Sequence, residues 1–255
     1  MLKNRFMPHC YSADDELQVM GSPHQQGIGP LVRCLVWNIY KARRSNWQSD
    51  FCNLKADRDL VLLQEAVFNA PSDPLFTQCQ RFEWTMARSF KDPRTQIVHG
   101  VKTGSSVRSL ENRFYLSPHT EPVSQTQKLL LTTLYPIAGR DELLMVLNMH
   151  AINFVGARKY EGQLEQLSGA LKSHDGPLIL GGDFNTWSPK RLASFLKVVT
   201  AAELQEAVMQ RNKKLTHMNR ELDHLYYRGL RLQSVESLHR YRSSDHSPIT
   251  ATFEL

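Results

Sequence analysis

The chain has 255 residues, 41% of them hydrophobic and 22% charged, with a formal net charge of +6. That length suits one large domain, and the balance, with no low-complexity tract, excludes a disordered or fibrous chain. The modest basic excess fits an anionic partner (nucleic acid, a phosphorylated metabolite or an acidic membrane surface) and equally a solvated basic surface, so charge alone does not choose.

Residues 1–30 read as an irregular N-terminal arm, polar and interrupted by Gly21, Pro23, Gly27, Gly29 and Pro30. They lack the apolar stretch of a secretory signal, and no window approaches the roughly 18 consecutive apolar residues of a membrane helix, so a cytoplasmic protein is expected. LVRCLVWNI (31–39) reads as a strand, SNWQSDFCNLKA (45–56) as a short helix and DLVLLQEA (59–66) as a second buried strand. Weaker strand signals cover 82–88 and 105–110, with KDPRTQ (91–96) a polar loop between them. LLLTTLYPI (129–137) and DELLMVLNMHAI (141–152) flank Ala138-Gly139-Arg140 as a hairpin. ARKYEGQLEQLSGALKS (157–173) is helical, with Tyr160, Leu164, Leu167 and Leu171 on one stripe. PLILGGD (177–183) is a strand and SPKRLASFLKVV (188–199) a helix with a Ser-Pro start. MQRNKKL (209–215) reads as a polar loop, and strands follow at 222–228, 230–236 and 248–254.

Strands outnumber helices, and short turns join many neighbours. The expected fold class is α/β (α+β). It is a four-layer sandwich of two packed, mainly antiparallel sheets with helices on both outer faces, forming one domain over 31–255. Cys10, Cys34, Cys52 and Cys79 form no CxxC pair, which excludes a zinc knuckle, and Cys34 reads as a core residue.

Polar residues that a core does not need stand at the ends of the apolar strands: Asn38, Glu65, His150, Asn153, Asp183, Asn185, Asp223, Asp245 and His246. Each has a plain structural reading. Asn38 and Asp245 could serve turns, Glu65 a helix cap, His150 the core, and Asp183 with Asn185 Asx-turns beside Gly181-Gly182. Their joint occurrence points instead to a site on one rim of a rigid scaffold.

The ordered set VWNI, LLQEA, NMHAIN, GGDFNTW, ELDHLYY and SSDHSPI resembles the endonuclease/exonuclease/phosphatase superfamily. That superfamily includes deoxyribonuclease I, exonuclease III, abasic-site endonucleases, inositol-polyphosphate 5-phosphatases and bacterial sphingomyelinases. The resemblance runs from about residue 31 to the C-terminus and is nearest to uncharacterised bacterial members with LVWNIYK, LVLLQEA and LDHxxYRGL forms. It implies Mg2+, with Mn2+ as a substitute, held by Glu65 with Asn38 and Asp245 beside it. It implies that Asp183 orients or deprotonates the attacking water and that Asn185 donates to the phosphoryl oxygen. It further implies that His246, fixed by Asp223, contacts the phosphoryl group and that His150 and Asn153 supply phosphate contacts. Lys41, Arg113 and Trp187 are candidate substrate-binding residues, each with a bland alternative as a solvated or packing side chain.

The implied function is metal-dependent hydrolysis of a phosphate ester, first a phosphodiester (a nuclease or general phosphodiesterase). The alternatives are a phosphatase or phospholipase C-like enzyme with the same mechanism, and a non-catalytic binding protein on the same fold. LLQEAVFN departs from the QET-plus-lysine pattern of abasic-site endonucleases, and His224 stands where many of them have tyrosine. A phosphate-ester substrate is implied, nucleic acid among the candidates, and no protein partner is indicated.

Overall fold

A computed structural model describes residues 7–12, 15, 17–68, 73–208 and 222–255; the MQRNKKL stretch lies outside the described residues. The architecture follows from strands that are apolar on both faces. In β3 (Leu31–Asn38), Val32, Cys34 and Val36 face one core and Leu35 and Trp37 another, and all five are buried. A strand without a solvated face must be covered twice.

β3 pairs in parallel with β4 (Leu60–Phe68), the two being connected through α1 (Trp47–Lys55). β4 continues antiparallel to β6 (Val98–Ser105) and then β5 (Glu83–Lys91). On the other side β3 pairs with β14 (Ile249–Glu254), which pairs with β13 (Arg231–Ser237). The second sheet runs β11 (Gln205–Glu206), β12 (Asp223–Arg228), β10 (Leu178–Asp183), β9 (Leu143–His150), β8 (Leu129–Pro136), β7 (Glu111–Leu116). Within it β9 and β10 are parallel, joined through α3 (Ala157–Lys172).

Val36, Leu62, Val146, Ile179, Leu225 and Phe253 fill the space between the sheets. α1 and α2 (Pro74–Thr77) lay Trp47, Phe51 and Phe76 on the outer face of the first sheet. α3 and α4 (Pro189–Ala201) lay Tyr160, Leu164, Leu167 and Phe195 on the outer face of the second. This is the expected four-layer sandwich, and each such large apolar side chain contributes about 1.5–3 kcal/mol by leaving water. α4 starts as the Ser-Pro pair predicts: Ser188 Oγ accepts from Arg191 N–H at 3.3 Å, with Pro189 opening the helix. Among the described residues, no helix is long and apolar enough to cross a membrane.

Two segments differ from expectation. The supposedly irregular arm contributes β1 (His9–Cys10) and β2 (Gln18–Met20), both pairing with β5. The strand expected at 105–110 is instead two strands, β6 and β7, on either side of that stretch. Gly100 and Gly104 hide β6. A Cβ at Gly100 would collide with Ala87 O and one at Gly104 with the Trp84 ring, so packing selects residues that propensity disfavours in a strand.

Side-chain alternation aims the strand ends. Asn38 follows Val36 on the same face, Asn148 and His150 follow Val146, Gly181 and Asp183 follow Ile179, and Asp223 precedes Leu225. With a period of two, all of these enter the gap between the sheets. Register brings them to one rim: Asp183 lies opposite His150 on one side and Asp223 on the other.

Candidate active site

The glycines before Asp183 set how closely its neighbours approach. A Cβ on Gly181 would come within 2.8 Å of Val36 Cγ2 across the gap, so the two sheets pack closely here. A Cβ on Gly182 would collide with the Met149 carbonyl, and its φ of 153° suits glycine.

Asp183 is 3% exposed and held from two sides. Asn38 Nδ2 donates to Oδ2 at 3.0 Å, and the Asn185 backbone N–H donates to Oδ1 at 3.0 Å. Asn185 adopts a left-handed φ of 50°, which asparagine tolerates, and its Nδ2 donates to Ala151 O at 2.9 Å. The Nε2 atoms of His150 and His246 stand 3.7 and 3.9 Å from Asp183 Oδ2. Burial, then the Asp223 charge, pushes the Asp183 carboxyl up to about 7, against the opposing pull of His246 and its hydrogen bonds.

His246 Nδ1 lies 2.7 Å from Asp223 Oδ2. Burial alone would lower its proton affinity, but the Asp223 charge and hydrogen bond, with Asp183 and Asp245, override it and carry His246 up to about 10. His246 is therefore an imidazolium at neutral pH, with Nε2 turned toward Asp183. The loop carrying it is pinned by Trp37 Nε1 donating to His246 O at 3.1 Å and by Ser244 Oγ donating to Asn38 O at 2.6 Å. His150 is the contrast: burial first, then Lys128, His246 and Lys41, holds it well below the usual histidine range, so it is neutral.

Glu65 sits at a bulge in β4, where the register with β6 shifts between Leu63 and Ala66. Its φ is 48°, a conformation that costs a residue with a Cβ about 1–3 kcal/mol and commonly marks a functional position. Glu65 Oε2 is buried with no hydrogen-bond partner among the described residues, and Lys41 Nζ stands 3.9 Å away. A buried carboxylate oxygen without a donor is costly, and a hard divalent cation is a group that would satisfy it. A second grouping, Asp183, Asp223 and His246, has one ligand atom from each within 4.8 Å of the others. There the Asp223–His246 hydrogen bond already engages two of the three groups, so the grouping reads better as a proton-holding cluster. Asp245 is exposed, and its Oδ1 accepts from Ser244 Oγ at 3.3 Å beside Asn38.

Of the remaining predicted residues, Asn153 and Trp187 meet directly: Trp187 Nε1 donates to Asn153 Oδ1 at 2.9 Å. Lys41 reaches the site edge at Glu65. Arg113 does not reach the site. In β7 its neighbour Phe114 faces the core between the sheets, so alternation turns Arg113 outward, where it pairs with exposed Glu111 near Ala170 of α3 and Ser173 just past its end.

Three supporting roles escape sequence reading. Gln64 Nε2 donates to Asn148 Oδ1 at 2.7 Å, and Asn148 Nδ2 donates to Lys102 O at 2.9 Å, bracing the bulge from the opposite sheet. The available signal was a polar Asn148 two residues before His150. Buried Arg191 donates to Ile152 O and lies 4.0 Å from the Tyr160 ring centroid, while Tyr160 OH donates to Phe184 O at 2.9 Å. Arg191 and Tyr160 together tie the loops that follow β9 and β10. His224, the departure noted in the sequence, binds Thr186 Oγ1 at 2.8 Å and Glu206 Oε1 at 3.2 Å beneath the GGDFNTW loop.

Comparison with known proteins places the chain by sequence and by fold. The profile of the Endonuclease/Exonuclease/phosphatase family matches residues 35–246. A UPF0294 protein of Vibrio vulnificus (strain YJ016) is 34% identical over 258 residues, spanning 97% of this chain and 83% of that protein. The crystal structure of an endonuclease/exonuclease/phosphatase from Beutenbergia cavernae superposes with a TM-score of 0.66 at 18% identity, covering 89% of this chain and 72% of that one. D. rerio TDP2 complexed with single-strand DNA product superposes with a TM-score of 0.61 at 15% identity, covering 88% and 99%. The family match over 35–246 and the 34% identity to the Vibrio vulnificus protein show that the chain belongs to the endonuclease/exonuclease/phosphatase family.

Proposed function

We propose that the chain is a divalent-metal-dependent phosphoesterase that hydrolyses phosphodiester bonds by in-line attack of an activated water. The observation carrying this reading is the buried pair at the rim: a carboxyl poised near neutrality, Asp183, facing an imidazolium, His246, braced by Asp223. A base with a proton affinity near the working pH is well matched to accepting a proton from water.

Asp183 orients the water and takes its proton as the water oxygen bonds to phosphorus. The ester oxygen opposite leaves with the bonding electron pair. His246 and the remaining N–H of Asn185 donate to the phosphoryl oxygens as charge builds there. Neutral His150 offers a further hydrogen bond, and Lys41, Asn153 and Trp187 are assigned to substrate. Glu65 would hold the cation, with Asn38 and Asp245 beside it; Mg2+ is assigned, with Mn2+ as a substitute, supplying Lewis-acid polarisation of the phosphoryl group. The DNA product held by D. rerio TDP2 makes a phosphodiester the first substrate class to test.

The test is hydrolysis of bis-p-nitrophenyl phosphate, DNA, RNA, phosphoinositides and sphingomyelin with Mg2+, Mn2+ or EDTA. Cleavage of at least one with metal, and loss of it in EDTA and in Asp183→Asn, is expected. Absence of metal-dependent cleavage across the panel would overturn the assignment.

A further inference from the structure

The loops that follow β9 and β10 meet the β7–β8 loop beside the rim. Together they carry three exposed apolar side chains: Val123 (91% exposed), Phe154 (73%) and Trp187 (41%). Hydrogen bonds hold the loops side by side. Asn153 Oδ1 accepts from the Phe154 backbone N–H at 2.8 Å and from Trp187 Nε1 at 2.9 Å, so one asparagine sets both aromatics next to each other. The Asn153 N–H in turn donates to Glu121 Oε1 at 2.9 Å. A turn closed by Gln125 N–H donating to Glu121 O at 3.0 Å then puts Val123 at its tip.

Phe154 has a left-handed φ of 53°, unfavourable for a bulky residue, while its neighbour Val155 packs against the core under α3. The chain thus accepts a strained backbone that leaves an aromatic ring in water, and strain of this kind clusters at ligand contacts.

The charges around the tips have one sign. α3 and α4 both start at this rim, because the parallel strands β9 and β10 end there. Cα–Cβ bonds tilt toward a helix N-terminus, so the exposed first-turn residues Arg158, Lys159 and Lys190 lean toward the apolar tips. Over 118–125, 153–159 and 186–191 the one acid is Glu121, which is buried and engaged. Glu161, further along α3, accepts from Ser194 Oγ at 2.9 Å.

Apolar tips flanked by cations suit an anionic phospholipid surface, where aromatic and aliphatic groups enter the headgroup region and Lys and Arg meet the lipid phosphates. A nucleic-acid strand could use the two rings and the cations, but it offers Val123 nothing. We propose that this face docks the protein on an anionic membrane surface. The docking goes beyond the phosphoesterase reading and does not depend on it.

The test is binding to vesicles in EDTA, with equimolar phosphatidylglycerol and phosphatidylcholine or with phosphatidylcholine alone. Trp37, Trp47 and Trp84 are buried, so a change in tryptophan emission on vesicle binding reports Trp187. The protein should sediment with the anionic vesicles at least about tenfold more tightly than with the neutral ones. Its emission should shift to the blue and be quenched by brominated lipid. A Val123→Ser, Phe154→Ser double variant and an Arg158→Glu, Lys190→Glu double variant, each checked by circular dichroism, should bind at least about tenfold more weakly. Absence of sedimentation with anionic vesicles, equal binding to both kinds, or binding that both variants retain overturns the docking face. So does binding that leaves the tryptophan emission unchanged. A single-stranded oligonucleotide that shifts the emission where vesicles do not assigns the face to nucleic acid and overturns the membrane docking. Because no turnover is read, the outcome leaves the phosphoesterase reading to its own assay.

Discussion

Asp223→Asn removes the group that most directly holds the proton on His246. Each tenfold change in proton affinity is worth about 1.4 kcal/mol. The rise of His246 from 6.5 to about 10 therefore corresponds to about 5 kcal/mol of preference for the imidazolium. The two side chains are 16% and 19% exposed, and Asp183 and Asp245 share the effect, so about 2–3 kcal/mol is assigned to Asp223 after allowing for screening. The sign follows from linkage: a folded-state value above the unfolded one means the folded protein binds more protons, and stability falls as pH rises. In the metal-free wild-type protein, the His246 contribution is fully present below pH 6.5 and is lost as pH climbs toward 10. Asp183, raised from 3.8 to about 7, adds a loss of the same sign between those values. NMR titration of the imidazole in EDTA should show His246 of Asp223→Asn titrating about two pH units lower than wild type. Urea melts should show a correspondingly flatter decline in stability between pH 6.5 and 10. A variant His246 that titrates within half a unit or so of wild type would refute the claim that Asp223 holds the proton.

Three further substitutions test the scaffold. Gly182→Ala places a Cβ against the Met149 carbonyl and should cost more than about 3 kcal/mol in urea unfolding; a loss below about 1 kcal/mol contradicts the close approach of β9 and β10. Asn148→Leu deletes the hydrogen bonds to Gln64 Nε2 and the Lys102 carbonyl between the sheets, and should cost about 1–3 kcal/mol, with heightened hydrogen exchange at the Glu65 bulge. Lys102, fully buried, lies 3.1 Å from Asp73 Oδ2 and 3.5 Å from the Phe76 ring centroid. Lys102→Met leaves the Asp73 carboxylate without its cation and should cost about 3–5 kcal/mol at neutral pH, less as pH falls and Asp73 protonates.

The rim was legible in the sequence because its residues continue the inward face of apolar strands. Asn38, His150, Asp183 and Asp223 each stand two or four positions from a buried aliphatic, so the period that buries Val36 or Ile179 also aims the polar residue. What lies across the gap was not legible. No local pattern announces that Asn38 of one sheet hydrogen-bonds Asp183 of the other, or that Asn148 braces the Glu65 bulge. β6 was hidden by Gly100 and Gly104, which are chosen by the neighbouring Ala87 carbonyl and Trp84 ring rather than by any local pattern. Arg113 shows the opposite error. A basic residue near the motifs looked available to phosphate, but the alternation of β7 turns it to the outer face. Asp183 and His246 were readable as polar residues, whereas their proton affinities depend on burial and on Asp223, which only the folded arrangement supplies.

The most direct measurement of the central claim is the rate of bis-p-nitrophenyl phosphate hydrolysis as Mg2+ is titrated into wild-type, Asp183→Asn and His246→Ala proteins, each checked for intact folding by circular dichroism. The account predicts a rate that rises with Mg2+ and saturates in the wild type, and falls by at least about a hundredfold in each variant. Metal-independent hydrolysis, or activity that survives both substitutions, would contradict it.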